Sequence, residues 1–186
     1  MPLLIPILGT GTTATSGDNP GMEPGRKIFT IGHSTHPAER FIRLLDAHGI
    51  EVLCDVRRFP ASRRNPQFNR DALSQSLEAA GIAYESFADE LGGRRRPRAT
   101  GEPSPWRNPA FRGYAEYMET PEFAAGLERL ETLAGERRAA IMCAEGDWRR
   151  CHRRLVSDAL ANRGWRVIHI RPDGRSEEHE LGLPAY

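Results

Sequence analysis

From Lys27 to Ile170 the chain repeats one pattern, a short apolar run followed by a turn and then by apolar residues at helical spacing. This alternation constrains the fold more than any other feature. Strands that alternate with helices through short connections pack as a parallel sheet, because right-handed crossovers place each helix back on a sheet face. KIFTIG (27–32) is the first β-rich run. HSTHP then offers hydroxyl groups for capping and puts Pro37 at a first helical position. In AERFIRLLDAHG the residues Phe41, Ile42, Leu44 and Leu45 share a helical face, and Gly49 closes it. IEVLCDV (50–56) is a continuous apolar run, as expected of a strand covered on both faces.

The cycle continues with the helix RDALSQSLEAAG, stopped by Gly81, and a third strand in IAYESF. GYAEYMETPEFAAGLERLETLAG predicts two helices broken at Pro121, RAAIMCA a fourth strand, CHRRLVSDALANRG a helix and WRVIHI a fifth strand. The expectation is an α/β fold: a single three-layer domain over residues 26–186, with a mainly parallel sheet of about five strands and helices on both faces. Residues 1–25, small and polar after a brief apolar start, are expected to form a flexible N-terminal arm. With 186 residues, one domain of this size buries roughly 70% of its unfolded surface without needing a disulfide or a metal.

Composition then limits the class. A hydrophobic share of 39% and a charged share of 27% are those of a folded soluble domain. The apolar LLIPIL near the N-terminus is too short for a membrane span and has no basic lead-in, so no membrane partner is expected. Three cysteines make no disulfide framework and point to a reducing cytoplasm. Net charge is only +1, yet Arg57 to Arg112 holds eleven arginines against six carboxylates. Planar guanidinium forks suit phosphate. LGGRRRPRATGEPSPWRNPAFR (91–112) is longer than most structureless connections in compact domains.

In a parallel sheet the ligand crevice lies beyond the carboxyl ends of the strands. His33, Ser34 and Thr35 follow the first strand, Asp55, Arg57 and Arg58 end or follow the second, and Cys143 and Glu145 end or follow the fourth. All belong on one rim although distant in sequence. TIGHST (30–35), DVRRFPASRRNPQFN (55–69), ELGGRR (90–95) and CAEGDWRRCHR (143–153), in that order, resemble the bacterial and archaeal family catalogued as domain of unknown function 488. The resemblance spans Arg26 to about His179. It implies a single α/β domain with a polar site at these motifs, and it supplies no reaction.

The chemistry is therefore weighed on the residues. Cys143 and Arg149 satisfy Cys-x5-Arg, the phosphate loop of cysteine phosphatases, but Glu145 and Asp147 would set two negative charges in a loop meant for a dianion. Cys143, Cys151 and His152, with His33, offer soft ligands to zinc. Against that stand a separation of eight positions between the cysteines and the expectation that neighbouring Cys151 and His152 diverge on a helix, so no metal and no cofactor is assigned. A thiol mechanism competes with the plain role of cysteine as a small hydrophobe. Glu145, Asp55 and His152 are acid/base candidates, with Cys143 as pocket wall or nucleophile; Asp55 and Glu145 equally suit bracing of arginines. His33, Ser34, Thr35, Arg57, Arg58, Arg63, Cys151 and Arg153 are the candidate substrate contacts. The expected function is an enzyme acting on a phosphate-containing ligand, a nucleotide or nucleic acid. Its rivals are a non-catalytic nucleic-acid-binding module and a cysteine-dependent phosphatase or thiol redox enzyme. The oligomeric state is not legible.

Overall fold

Strand β1 runs Lys27–Gly32, and α1, Ala38–Ala47, buries Phe41 and Leu45. Gly49 follows α1 at φ +63°, a left-handed turn that glycine adopts at little cost. β2, Val52–Asp55, is buried along its whole length. α2 spans Arg70–Ala79 and β3 Ala83–Ser86. The chain continues through α3, Pro109–Tyr117, α4, Pro121–Glu136, β4, Ala139–Cys143, α5, Arg153–Asn162, β5, Arg166–Ile170, and β6, Ser176–Glu178. This computed structural model describes residues 26–98 and 105–182. The expected N-terminal arm and the centre of the arginine-rich loop lie outside the described residues.

One sheet holds the strands in the order β3-β2-β4-β1-β5-β6. The first five run parallel and β6 antiparallel to β5. The α/β class and the mainly parallel sheet are as read from the alternation. The sixth strand is an addition. SEE, at 176–178, has no apolar period because it is a short charged edge, and Asp173 and Gly174 at φ +93° turn the chain into it.

Side chains alternate between faces along each strand. Ile28, Val52, Cys54 and Ile141 pack with Tyr114, Phe123, Leu127, Leu130, Val156 and Leu160 of α3, α4 and α5. Phe29, Ile31, Leu53 and Ala140 pack with Phe41 and Leu45 of α1 and Leu73 and Leu77 of α2. Two apolar layers thus flank the sheet. No described helix is long and apolar enough to cross a membrane.

Three helix starts differ from the sequence expectation. α1 begins at Ala38, behind Pro37, whose ring offers no capping side chain. α3 starts at Pro109, ahead of the expected GYAEY, with Asn108 as its cap accepting from Ala110 N, while the expected break at Pro121 is met, the proline opening α4 behind its Thr120 cap. α5 starts only at Arg153, because a 3₁₀ turn at Trp148–Arg150 takes up the preceding residues, and Cys151 and His152 stand outside any helix.

Candidate functional site

β2, β4 and β1 are neighbours in the sheet, so the segments leaving their carboxyl ends meet. Their registers align Gly32 with Cys143 and Asp55 with Met142. Beyond the sheet the pairing continues: His33 N donates to Cys143 O at 2.9 Å and Ser34 N to Ala144 O at 3.0 Å. Gly32 permits this approach, since a Cβ there would overlap the carbonyl oxygen of Glu145. These amides, engaged in holding the two loops together, are not part of an anion cradle.

A cavity of about 720 Å³ opens at this rim, within the range of small-molecule sites. Nine of the twelve candidate residues line it: His33, Ser34, Thr35, Arg57, Arg58, Cys143, Glu145, Cys151 and His152. Asp55, Arg63 and Arg153 do not. Phe59, Asn65, Gly93, Arg94 and Arg150 complete much of the wall.

Asp55 lies behind Arg57 and is 1% exposed. Its Oδ1 accepts from Arg57 N at 3.0 Å and Nε at 2.9 Å, while Oδ2 accepts from Arg57 Nη2 at 2.6 Å and Tyr84 OH at 2.8 Å. The carboxylate is thereby fully occupied in aiming Arg57. Arg57 Nη1 reaches His33 Nε2 at 3.4 Å, and His33 Nδ1 donates to Ser34 O at 2.9 Å. That geometry sets a neutral imidazole with its lone pair toward the guanidinium. Burial first, and Arg57 with it, hold the His33 pKa down to about 4. The ring stacks on Phe68 at 4.2 Å.

Arg58 bonds Ala88 O and Asp89, joining the β2 exit to the ELGGRR segment. Arg94 and Arg150 are exposed on the cavity wall. Among the described residues, no carboxylate pairs with either of them. Phe59, 63% exposed, stands at the mouth with the Arg94 guanidinium 6.0 Å from its ring centroid. Glu145 is exposed too, and its carboxylate accepts from Asp147 N at 3.2 Å. Arg149 turns away, pairing with Glu177 at 3.1 Å and lying over Trp148. The Cys-x5-Arg loop therefore does not wrap its arginine around a ligand at this cavity.

Cys143, Cys151 and His152 come together at the cavity, correcting the expectation that Cys151 and His152 diverge along a helix. Their sulfur and Nδ1 atoms all lie within 4.8 Å of one another. His152 Nδ1 is 3.6 Å from Cys151 Sγ and 3.9 Å from Cys143 Sγ. The 3₁₀ turn ahead of α5 brings them round. Both cysteines are free thiols, as is Cys54, which is buried in the sheet and whose pKa burial pushes up. The hydrogen bond with Cys151, then burial, raises the Cys143 thiol. Burial opposes ionisation of Cys151, but Cys143, His152 and Arg153 outweigh it and draw that thiol down.

Arg153 sits beneath the site, 1% exposed, donating to Thr30 Oγ1 at 3.1 Å and to Glu145 O. Thr30 Oγ1 contacts His169 Nδ1 at 2.8 Å, His169 Nε2 contacts His179 Nδ1 at 2.9 Å, and His179 Nε2 contacts Asp158 Oδ1 at 2.9 Å. Trp148 stacks on His169 at 3.8 Å. Sequence reasoning missed this network, since WRVIHI reads as a plain apolar strand. It also missed Arg94, Arg150 and Gly93, although ELGGRR and CAEGDWRRCHR contain them.

One family model matches the chain, Domain of unknown function DUF488, over residues 37–160. The match contains the Asp55–Asn69, Glu90–Arg95 and Cys143–Arg153 motifs and stops short of TIGHST. No curated protein matches.

Proposed function

This chain belongs to the Domain of unknown function DUF488 family, and we propose that it is an enzyme acting on a phosphate-containing substrate, a nucleotide or nucleic acid. The observation that carries this reading is one cavity with Arg57, Arg58, Arg94 and Arg150 on its walls and two thiols with an imidazole alongside. Guanidinium groups favour a phosphate anion. The exposed Phe59 ring supplies a face on which a base can stack. Glu145 is the solvent-facing carboxylate for acid/base work, with His152 and Cys143 near it on the wall. Asp55 serves as the brace of Arg57, and Arg63 and Arg153 act from outside the cavity. A concave site of this size favours a nucleotide, or one flipped-out residue of a strand, over a purely backbone-gripping module.

Calorimetric titration with mono-, di- and triphosphate nucleotides and with short oligonucleotides tests the proposal. An Arg94→Ala/Arg150→Ala double variant keeps the melting temperature, because both side chains are exposed, and binds phosphate ligands at least tenfold more weakly. No binding by any phosphate-bearing ligand, or binding unchanged in the double variant, overturns the reading. Binding of long strands alone, lost steeply with salt and without turnover, indicates the non-catalytic module instead.

A further inference from the structure

We propose that Cys143, Cys151 and His152 form a three-donor site for zinc, with the fourth coordination position open to the cavity. Zinc takes thiolate sulfur at about 2.3 Å and imidazole nitrogen at about 2.0–2.1 Å. A tetrahedral ion with those bonds sets S···N edges of about 3.6 Å and an S···S edge of about 3.8 Å. The two S···N distances in the protein are 3.6 and 3.9 Å and the S···S edge is within 4.8 Å, so the S···N edges stand near coordination spacing and the sulfurs need close by at most about 1 Å.

The imidazole is oriented for the task. His152 Nε2 lies 2.9 Å from Val56 O. A carbonyl oxygen only accepts, so Nε2 carries the proton, and in the neutral ring Nδ1 presents its lone pair to the two sulfurs. A second nitrogen anchored on a backbone carbonyl is the usual support of a metal-binding histidine. Tyr114 packs its ring 5.0 Å from that of His152 and is itself tied to Leu91 O at 2.7 Å. Gly93 leaves the Nδ1 side clear, since a Cβ there would come within 2.7 Å of Nδ1.

A simple disulfide between the cysteines needs no third donor and gives no reason for this histidine orientation. Two thiolates and one imidazole on a divalent ion make an electrically neutral unit, suited to a half-buried position. Three protein ligands facing a cavity are the arrangement of a zinc ion that binds water or substrate rather than one that only cross-links the fold. Each sulfur binds as thiolate, so metal uptake releases thiol protons. The assignment does not depend on the phosphate reading.

Titrating the reduced, chelator-treated full chain with Co²⁺ alone tests it. One equivalent should bind, giving the thiolate-to-cobalt charge-transfer band and the intense visible absorption of tetrahedral cobalt, both erased by one equivalent of Zn²⁺. Zinc should also protect Cys143 and Cys151 from alkylation in peptide mapping. Cys143→Ser, Cys151→Ser and His152→Ala should each weaken binding at least a hundredfold. A folded, reduced wild-type chain that takes up no stoichiometric metal overturns the proposal. So does affinity that survives all three substitutions, or a Cys143–Cys151 disulfide forming while the reduced pair ignores zinc. Should the variants fold poorly, the wild-type titration and alkylation decide the matter. Since the probe is the metal alone, this test and the nucleotide titration fail separately.

Discussion

Replacing Asp55 by alanine should lower stability far more than an acid/base role would require. The substitution strips Arg57, 6% exposed, of three hydrogen bonds and its counter-ion, and leaves Tyr84 OH without its acceptor. Removing one partner of a buried ion pair costs about 3–5 kcal/mol, because the remaining charge stays uncompensated. At about 2–4 °C per kcal/mol for a chain of this size, the midpoint should fall by roughly 6–20 °C. Arg57→Met removes the stranded charge, so the Asp55→Ala/Arg57→Met pair should melt well above the sum of the single effects, with a coupling of about 2 kcal/mol or more. Differential scanning calorimetry of the four proteins in one buffer measures the cycle. If Asp55→Ala melts within about 1 kcal/mol of wild type, or the cycle is additive, then Asp55 does not brace Arg57 and the reasoning fails.

Glu145→Gln should leave the melting point within about 1 kcal/mol of wild type, as the bond its exposed carboxylate accepts from Asp147 N lies in a turn at the surface. Turnover of a bound phosphate substrate should drop about a hundredfold with affinity retained; a destabilised variant that no longer binds would show a brace instead. His33 takes up its proton near pH 6.5 when unfolded but only near 4 when folded, so its contribution is full above pH 6.5 and fades as pH falls toward 4. Between pH 7 and 5 that loss is about 2 kcal/mol, with buried His169 sloping the same way; a flat melting temperature across this window, or a slope unchanged in His33→Asn, would refute it. Gly93→Ala should cost about 1–3 kcal/mol by pressing on His152 and should weaken cobalt binding; unchanged melting and unchanged cobalt affinity would mean that the glycine keeps no space open. Mild reduction should leave the melting curve unmoved, because the cysteines are free thiols; unfolding on reduction would reveal a structural disulfide.

The fold was legible where local pattern and global topology agree. The short β-rich runs KIFTIG (27–32), IEVLCDV (50–56), RAAIMCA (138–144) and WRVIHI (165–170) alternate with stretches of helical period, and each run holds a strand of the sheet. Parallel topology then predicts which loops share a rim, which groups His33, Arg57 and Cys143 from the sequence alone. The meeting of Cys151 with His152 was hidden, because a helical period sets adjacent residues about 100° apart and nothing in WRRCHRR announces a 3₁₀ turn. Arg94 escaped because its aim depends on a left-handed backbone, φ +59°, that non-glycine residues adopt rarely. His169 escaped because its partners, Thr30 and His179, come from other strands and segments, and a single sequence carries no record of such pairings.

The row of contacts from Arg153 to Asp158 has a sense of direction. Arg153 can only donate and the Asp158 carboxylate can only accept, so with both histidines neutral every proton in the row points from the site toward the outer edge of the sheet: Arg153 to Thr30, Thr30 to His169, His169 to His179, His179 to Asp158. The tautomer of each ring is therefore set by its neighbour and not by solvent: His179 and His169 both carry their proton on Nε2, and the buried Thr30 hydroxyl gives its hydrogen to His169 while its oxygen receives Arg153. One carboxylate on α5 thus dictates which way a hydroxyl points three groups away, under the loop that Arg153 holds through the Glu145 carbonyl.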